Sequence, residues 1–158
     1  MDGCDAALVE CTDTAVHLKH FLMLPMPEEL KQKVMACCDL ATSNIGLVCS
    51  LNAELGAYFA RAANQLLKEA GVDPREVSAI GSHGQTVYHI PFPENDWVPS
   101  TLQLGEPAVI AYETGIPIVS SMRAMDMAAG GQGAPMVPFS EYLLYRGPEA
   151  VALQNLGG

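Results

Sequence analysis

Basic residues are scarce in this chain: eight Lys and Arg stand against eighteen Asp and Glu, a net charge of −10 at pH 7. A surface of that sign repels nucleic acid and anionic membrane, so neither is expected as a partner. Long apolar runs are lacking as well. None reaches the ~18 residues a membrane span needs, and no basic stretch followed by an apolar one opens the sequence, so the expectation is a soluble, unexported, cytoplasmic protein. Cysteine carries no pairing signal: Cys4, Cys11, Cys37, Cys38 and Cys49 are odd in number, include no CxxC and fall in the first third of the chain. Reduced thiols acting mostly as small core residues fit better than a disulfide framework or a zinc site. Internal repeats, low-complexity tracts and an obvious interdomain linker are missing too.

What is present is a body. At 158 residues and 49% hydrophobic content, the chain is long enough for one domain with a real core. Asp2-Gly3 reads as a tight turn ahead of an apolar strand through Val9, with no earlier strand to pair across it, so half a hairpin is missing. Val16 to Leu24 suits a second strand, ended by Pro25 and Pro27. His17 and His20 in that run have no carboxylate or Cys at ligand spacing and read as partly exposed strand residues.

Pro27 opens a helix with Glu28 and Glu29 in its first turn and Leu30, Val34 and Cys37 or Cys38 on one face. A longer helix, capped by Thr42 or Ser43, repeats Val48, Leu51, Leu55, Tyr58 or Phe59, Ala62 and Leu66 at steps of three and four until Gly71 and Asp73-Pro74 stop it. Strands follow at Val77 to Ile80 and Val87 to Ile90, and Thr101 to Pro107 is strand, then turn, then helix start. Ala108 to Glu113 is a short helix closed by Gly115, Ile116 to Val119 a strand, Val137 to Tyr145 a helix, and Val151 onward a strand running into Gly157-Gly158. Pro91 to Pro99 is a surface loop or hairpin tip whose Trp97 suits either a sugar-stacking platform or local packing.

Two stretches carry chemistry. Arg123 to Pro135 sets Asp126 ahead of Gly130, Gly131 and Gly133, directly after a strand. Glycines there let the backbone reach φ > 0 or approach a ligand closely, and a carboxylate at the entrance of such a loop can act as a general base. The same residues also suit a glycine-rich turn with a solvated aspartate. Gly81 to Thr86 brackets His83 with small residues, and Gln85 and Thr86 bond in both directions, as a polyol pocket requires; a polar turn satisfying its own backbone is the alternative. Both stretches lie at strand ends, where α/β folds bind ligands.

The strings IGSHGQTVYHIP from Ile80, TLQLGEPAVIAYETGIPIVS from Thr101, RAMDMAAGGQGAPMVPF from Arg123 and ALQNLGG from Ala152 resemble the anhydro-N-acetylmuramic acid kinase family. MDGCDAALVE looks like the second half of that family's MSGTS-x-DG-x-DAAL segment, so the resemblance runs through nearly the whole chain. It implies an α/β chain that is a partial N-terminal lobe of an actin-like ATPase (ribonuclease H-like) fold, a mixed sheet with flanking helices. Residues 1–158 would be a single partial sugar-kinase lobe, the second ATP-binding lobe being absent. The implied reaction opens the 1,6-anhydro bridge of anhydro-N-acetylmuramic acid with water while ATP phosphorylates O6, giving N-acetylmuramate 6-phosphate for cell-wall recycling.

By the same resemblance Asp126 is the base that activates water, and Arg123 orients Asp126 or the substrate carboxylate. His83, Gly84, Gln85, Thr86 and Gln103 bind the sugar. Asp2 helps order magnesium, directly or through water, and Gly157 and Gly158 begin the second phosphate loop. The implied cofactors are ATP and Mg2+, the partners a small-molecule amino sugar and ATP, and a homodimer is allowed for the full-length protein. The glycine, threonine and serine of the first phosphate hairpin have no counterpart before Met1. The 158 residues alone are therefore expected to bind sugar weakly and not to turn over. A kinase of the same superfold acting on another sugar, and a non-catalytic carbohydrate-binding or interaction module, are the alternatives.

Overall fold

A computed structural model describes residues 2–13 and 15–154. The chain divides into two compact units, Met1–His89 with Leu102–Ser121, and Ile90–Thr101 with Met122–Gly158. The first opens on an antiparallel ladder of β1 (Gly3–Cys11) and β2 (Val16–Pro25), registered from Gly3 against Pro25 to Cys11 against Val16 with a bulge between Leu8 and Val9. Asp2-Gly3 is not a turn. Gly3 is the first residue of β1, and the Asp2 carbonyl accepts the Met26 N–H at 3.1 Å, one step beyond it. Glycine is required at position 3 because a Cβ would collide with the Leu24 carbonyl oxygen.

α1 (Glu28–Cys38) packs on α2 (Ile45–Ala70), and α2 packs on this ladder. α1 buries Leu30, Val34 and Cys37, which settles the choice between the two neighbouring cysteines. α2 is capped by Asn44, whose Oδ1 accepts the Leu47 N–H at 2.9 Å, and not by Thr42 or Ser43. The Thr42 hydroxyl instead donates to the Ala36 carbonyl at 2.8 Å, closing the end of α1. Gly71 ends α2 in the left-handed region at φ 68°, as expected of its sequence position. Leu51 and Leu55 are fully buried and Tyr58 is 1% exposed, and with Leu30, Val34, Cys37, Val87 and Leu104 they form the core. The Tyr58 hydroxyl donates to the Leu24 carbonyl at 2.6 Å, pinning α2 to β2. Of the five free thiols only Cys37 is buried, whereas Cys11, Cys38 and Cys49 are exposed, so the cysteines are not mainly core residues.

A 3₁₀ turn (Pro74–Glu76) leads to β3 (Ile80–Gly81), which pairs in parallel with β6 (Ile118–Val119). Both are shorter than their apolar runs suggest. Among the described residues each has only the other as ladder partner, through Ile80 N–H to the Pro117 carbonyl and Ser82 N–H to the Val119 carbonyl, both 2.8 Å. β4 (Gln85–Ile90) and β5 (Ser100–Leu104) make the remaining ladder, and α3 (Pro107–Thr114) packs on α2 and ends at Gly115.

The second unit holds the loop tip at Glu94 and Trp97, bridged across Asn95 and Asp96. Both central residues have φ > 0, at 49° and 64°, the twist that a two-residue hairpin turn needs. α4 (Met122–Ala128) and α5 (Met136–Tyr145) flank the glycine loop. Arg123 and Asp126 thus ride on a helix and not in the loop itself. Residues 151–154 form no strand, because no strand among the described residues pairs with them. Gly157 and Gly158 lie outside the described residues. Among the described residues, no helix is long and apolar enough to cross a membrane.

Candidate functional site

The first polar group is built where the chain turns into β4. Gly84 has φ 73°, and a Cβ there would meet the Leu104 carbonyl oxygen at 2.8 Å and the Gln103 Cβ at 3.1 Å. Only glycine lets this turn lie so close to the end of β5. As a result Gln103 Nε2 donates to Thr86 Oγ1 at 3.2 Å, joining two of the expected sugar-binding residues across 17 positions of sequence. Gln85 Nε2 donates to the Thr86 carbonyl at 3.0 Å. His83 is exposed, with Nδ1 2.7 Å from the Gly84 carbonyl oxygen, so the tautomer that makes this bond carries its proton on Nδ1. A neutral ring in that form has its acceptor lone pair on Nε2.

Two residues that no sequence signal singled out hold this group in place. Asn52, on α2, accepts the Gly105 N–H with Oδ1 at 2.8 Å and donates from Nδ2 to Glu106 Oε2 at 2.8 Å. Glu106 in turn caps α3 through the Ala108 N–H at 3.1 Å. An Asn inside an apolar-periodic helix was the available clue, since such a residue needs a partner to satisfy its amide.

The second polar group lies wholly in the other unit. Arg123 and Asp126 are three residues apart on α4, one helical turn, so both side chains reach the following loop. Arg123 Nη1 donates to the Gly133 carbonyl at 2.6 Å, and the Gly133 N–H donates to Asp126 Oδ2 at 2.7 Å. The two charged residues therefore grip opposite ends of one buried glycine, whose φ is 77°. The Gly131 N–H bonds the Asp126 backbone carbonyl at 2.9 Å, and a Cβ on Gly131 would overlap the Asp126 carboxylate. Asp126 is half-buried, and the described hydrogen bonds engage Oδ2, so Oδ1 is the oxygen available to take a proton from a ligand.

Asp2 is exposed at the start of β1. Among the described residues no three His, Cys, Asp or Glu side chains are gathered as a metal site. Magnesium commonly uses one or two carboxylates together with several waters and phosphate oxygens, and Asp2 is a single carboxylate of that kind.

Against known proteins, the family model described as "AnmK: Anhydro-N-acetylmuramic acid kinase" matches residues 1–158. Proteins named anhydro-N-acetylmuramic acid kinase from Bacillus cereus strains Q1 and AH187 and from Bacillus anthracis strain CDC 684 / NRRL 3495 are each 48% identical to this chain over 163 residues. Each match covers 100% of this chain and 43% of the relative, so the chain spans less than half the length of these curated relatives.

Proposed function

The chain belongs to the anhydro-N-acetylmuramic acid kinase family, and from that premise we propose that it supplies the sugar-reading turn and the water-activating carboxylate of an ATP-dependent kinase that opens 1,6-anhydro-N-acetylmuramic acid. Its mixed α/β architecture accords with the sugar kinase and actin-like fold of that family. Water is deprotonated by Asp126 as its oxygen bonds the anomeric carbon. The bond from that carbon to O6 breaks, and O6 takes the phosphoryl group, giving N-acetylmuramate 6-phosphate and ADP. The water proton ends on Asp126 and the second hydrogen stays on the new anomeric hydroxyl.

Asp126 is suited to this work because one oxygen is anchored by the Gly133 N–H while the other stays available; this arrangement is the observation that carries the reading. A carboxylate is a weak base at neutral pH, so the gain comes from holding the water in line and not from base strength. Arg123 acts through Gly133, keeping the loop seated. His83, Gln85, Thr86 and Gln103 read the ring hydroxyls and the acetamide, with Gly84 allowing their close approach. ATP supplies the phosphoryl group, Asp2 would hold magnesium through water, and Gly157 and Gly158 begin the phosphate loop. Cytoplasmic amino-sugar salvage in cell-wall recycling is the setting this reaction implies, with no nucleic acid or membrane partner.

The test uses the family-length enzyme carrying these residues. Asp126→Asn is expected to lower sugar-dependent ADP release by at least 10³-fold while calorimetry with the anhydro sugar changes less than tenfold. Undiminished turnover in that variant rejects Asp126 as the base. Equal turnover of an ordinary hexose favours a kinase of different specificity.

A further inference from the structure

α2 carries Asn52, Gly56 and Phe59 at steps of four and three, which puts them on one face of the helix. All three meet the same two residues, Gly105 and Glu106, just past the end of β5. Asn52 bonds to that pair three times. Its Oδ1 accepts the Gly105 N–H and its Nδ2 donates to Glu106 Oε2, both at 2.8 Å, while its backbone carbonyl accepts the Glu106 N–H at 2.9 Å. A carbonyl inside a helix keeps a second lone pair beyond its own helical bond, but an outside donor reaches it only where no side chain intervenes. Gly56 supplies that opening: a Cβ there would sit 2.9 Å from the Glu106 carbonyl oxygen and 3.1 Å from its nitrogen. Glycine inside a helix is destabilising relative to alanine, and here the close approach demands it.

The contact continues into the sugar-reading turn. Gly105 has φ 124°, and a Cβ on it would overlap the Phe59 ring and lie 3.7 Å from Gly84 Cα. Gly84 is seated in turn against the Leu104 carbonyl oxygen and Gln103. Helix, segment and turn thus follow one another with glycine at each contact, and closely packed backbone passes a displacement on. We infer that Asn52 is a positioning residue for sugar binding: through Gly105 it sets the place of the Gly84 turn, and with it the spacing of Gln103 and Thr86. The inference rests on the reading of His83 to Thr86 with Gln103 as the sugar site. Asparagine suits the task because the Gly105 N–H needs an acceptor and the Glu106 carboxylate a donor, and one short amide offers both. Alanine would leave the N–H of a buried residue without its acceptor, and aspartate would set two carboxylates against each other.

The test uses the family-length enzyme. Asn52→Ala is expected to weaken calorimetric binding of 1,6-anhydro-N-acetylmuramic acid at least tenfold and to raise the KM for it similarly, with kcat and the KM for ATP changed less than about threefold. Asn64→Ala is the control for helix packing, since it cuts the bond from Asn64 Nδ2 to the Glu113 carbonyl, which also ties α2 to α3; it should bind sugar as the parent does. Asn52→Asp keeps the shape should the alanine variant fail to fold. Its affinity should fall at about pH 8 and recover roughly tenfold at about pH 5.5, where one proton shared by the carboxylate pair replaces the amide donor, a recovery the parent does not show. Unaltered affinity in folded Asn52→Ala, an equal loss in Asn64→Ala, or no recovery in Asn52→Asp overturns the inference. Gly84→Ala in the same series separates the two failures. Lost affinity there, with none lost in Asn52→Ala, overturns the role of Asn52 alone; unchanged affinity in both removes the sugar-site reading and the inference with it.

Discussion

The Gly133 N–H donates to Asp126 Oδ2 at 2.7 Å, across a loop that passes so close at Gly131 that a single methyl group there would overlap the same carboxylate. Glycine at 131 is thus demanded by the neighbouring side chain and not by backbone conformation, since its φ is outside the left-handed range, whereas Gly130 and Gly133, at 93° and 77°, are conformational glycines. Three glycines in four positions answer two different requirements.

Gly131→Ala should therefore displace the Asp126 carboxylate without unfolding α4. In the parent chain the bond to Asp126 should protect the Gly133 amide proton from exchange, and that protection should be lost in Gly131→Ala and in Asp126→Ala. In the family-length enzyme the same substitution should lower kcat on the order of 10²-fold, the scale of a small misplacement of a reacting group. A Gly133 amide that stays protected in Gly131→Ala removes the steric argument.

Arg123→Met breaks the bond from a charged donor to the Gly133 carbonyl. Such bonds contribute about 1.5–3 kcal/mol, so amide exchange at Gly131 and Gly133 should speed up roughly tenfold to a hundredfold. Arg123→Lys should recover part of the protection with one donor. Unchanged exchange in Arg123→Met would show that the loop holds itself.

Gly84→Ala forces a side chain into φ 73° and against the Leu104 carbonyl oxygen. The left-handed conformation alone costs about 1–2 kcal/mol. The turn should shift away from β5, separating Thr86 from Gln103. Calorimetry with 1,6-anhydro-N-acetylmuramic acid should register at least a tenfold loss of affinity, beyond any change in melting temperature. Retained affinity in the folded variant excludes the turn from the sugar site.

Tyr58 sets an alkaline limit. Burial, the largest influence, raises its phenol above the ordinary value of 10.0. Above that pH the unfolded chain loses a proton that the folded chain keeps, so stability is full below pH 10.0 and declines as pH rises toward the folded value. Cys4, Cys37 and Cys38 act in the same direction from 9.0, also chiefly through burial. Tyr58→Phe should cost about 1 kcal/mol at neutral pH, by loss of its bond to the Leu24 carbonyl. In urea melts repeated from pH 7 to 11, the variant should show a shallower decline above pH 10 than the parent. Parallel declines would assign the limit to the thiols.

Local rules read from sequence account for much of the fold. The apolar spacing of Leu51, Leu55, Tyr58, Ala62 and Leu66 marks the buried face of α2, and Gly71 and Gly115 stop their helices in the left-handed conformation. Errors fell where neighbours compete. Asn44 displaced Thr42 as the cap because the Thr42 hydroxyl is engaged by the Ala36 carbonyl. Asp2-Gly3 has turn chemistry, yet Gly3 is drawn into β1 by its approach to Leu24. The expected strand at Val151 has β composition but no described neighbour to pair with.

For the candidate site, residue types and order were legible in one dimension: a histidine among small residues, a carboxylate ahead of glycines, and the long matching strings that carry the family. Those features depend on chemistry within a few positions of sequence. Which oxygen of Asp126 is tied down, why residue 131 has no side chain, and how Asn52 on α2 steadies Gly105 fifty-three positions away depend on groups meeting through space. Packing alone decides such meetings, because hydrogen bonds and steric exclusion act over a few ångströms and are blind to distance along the chain.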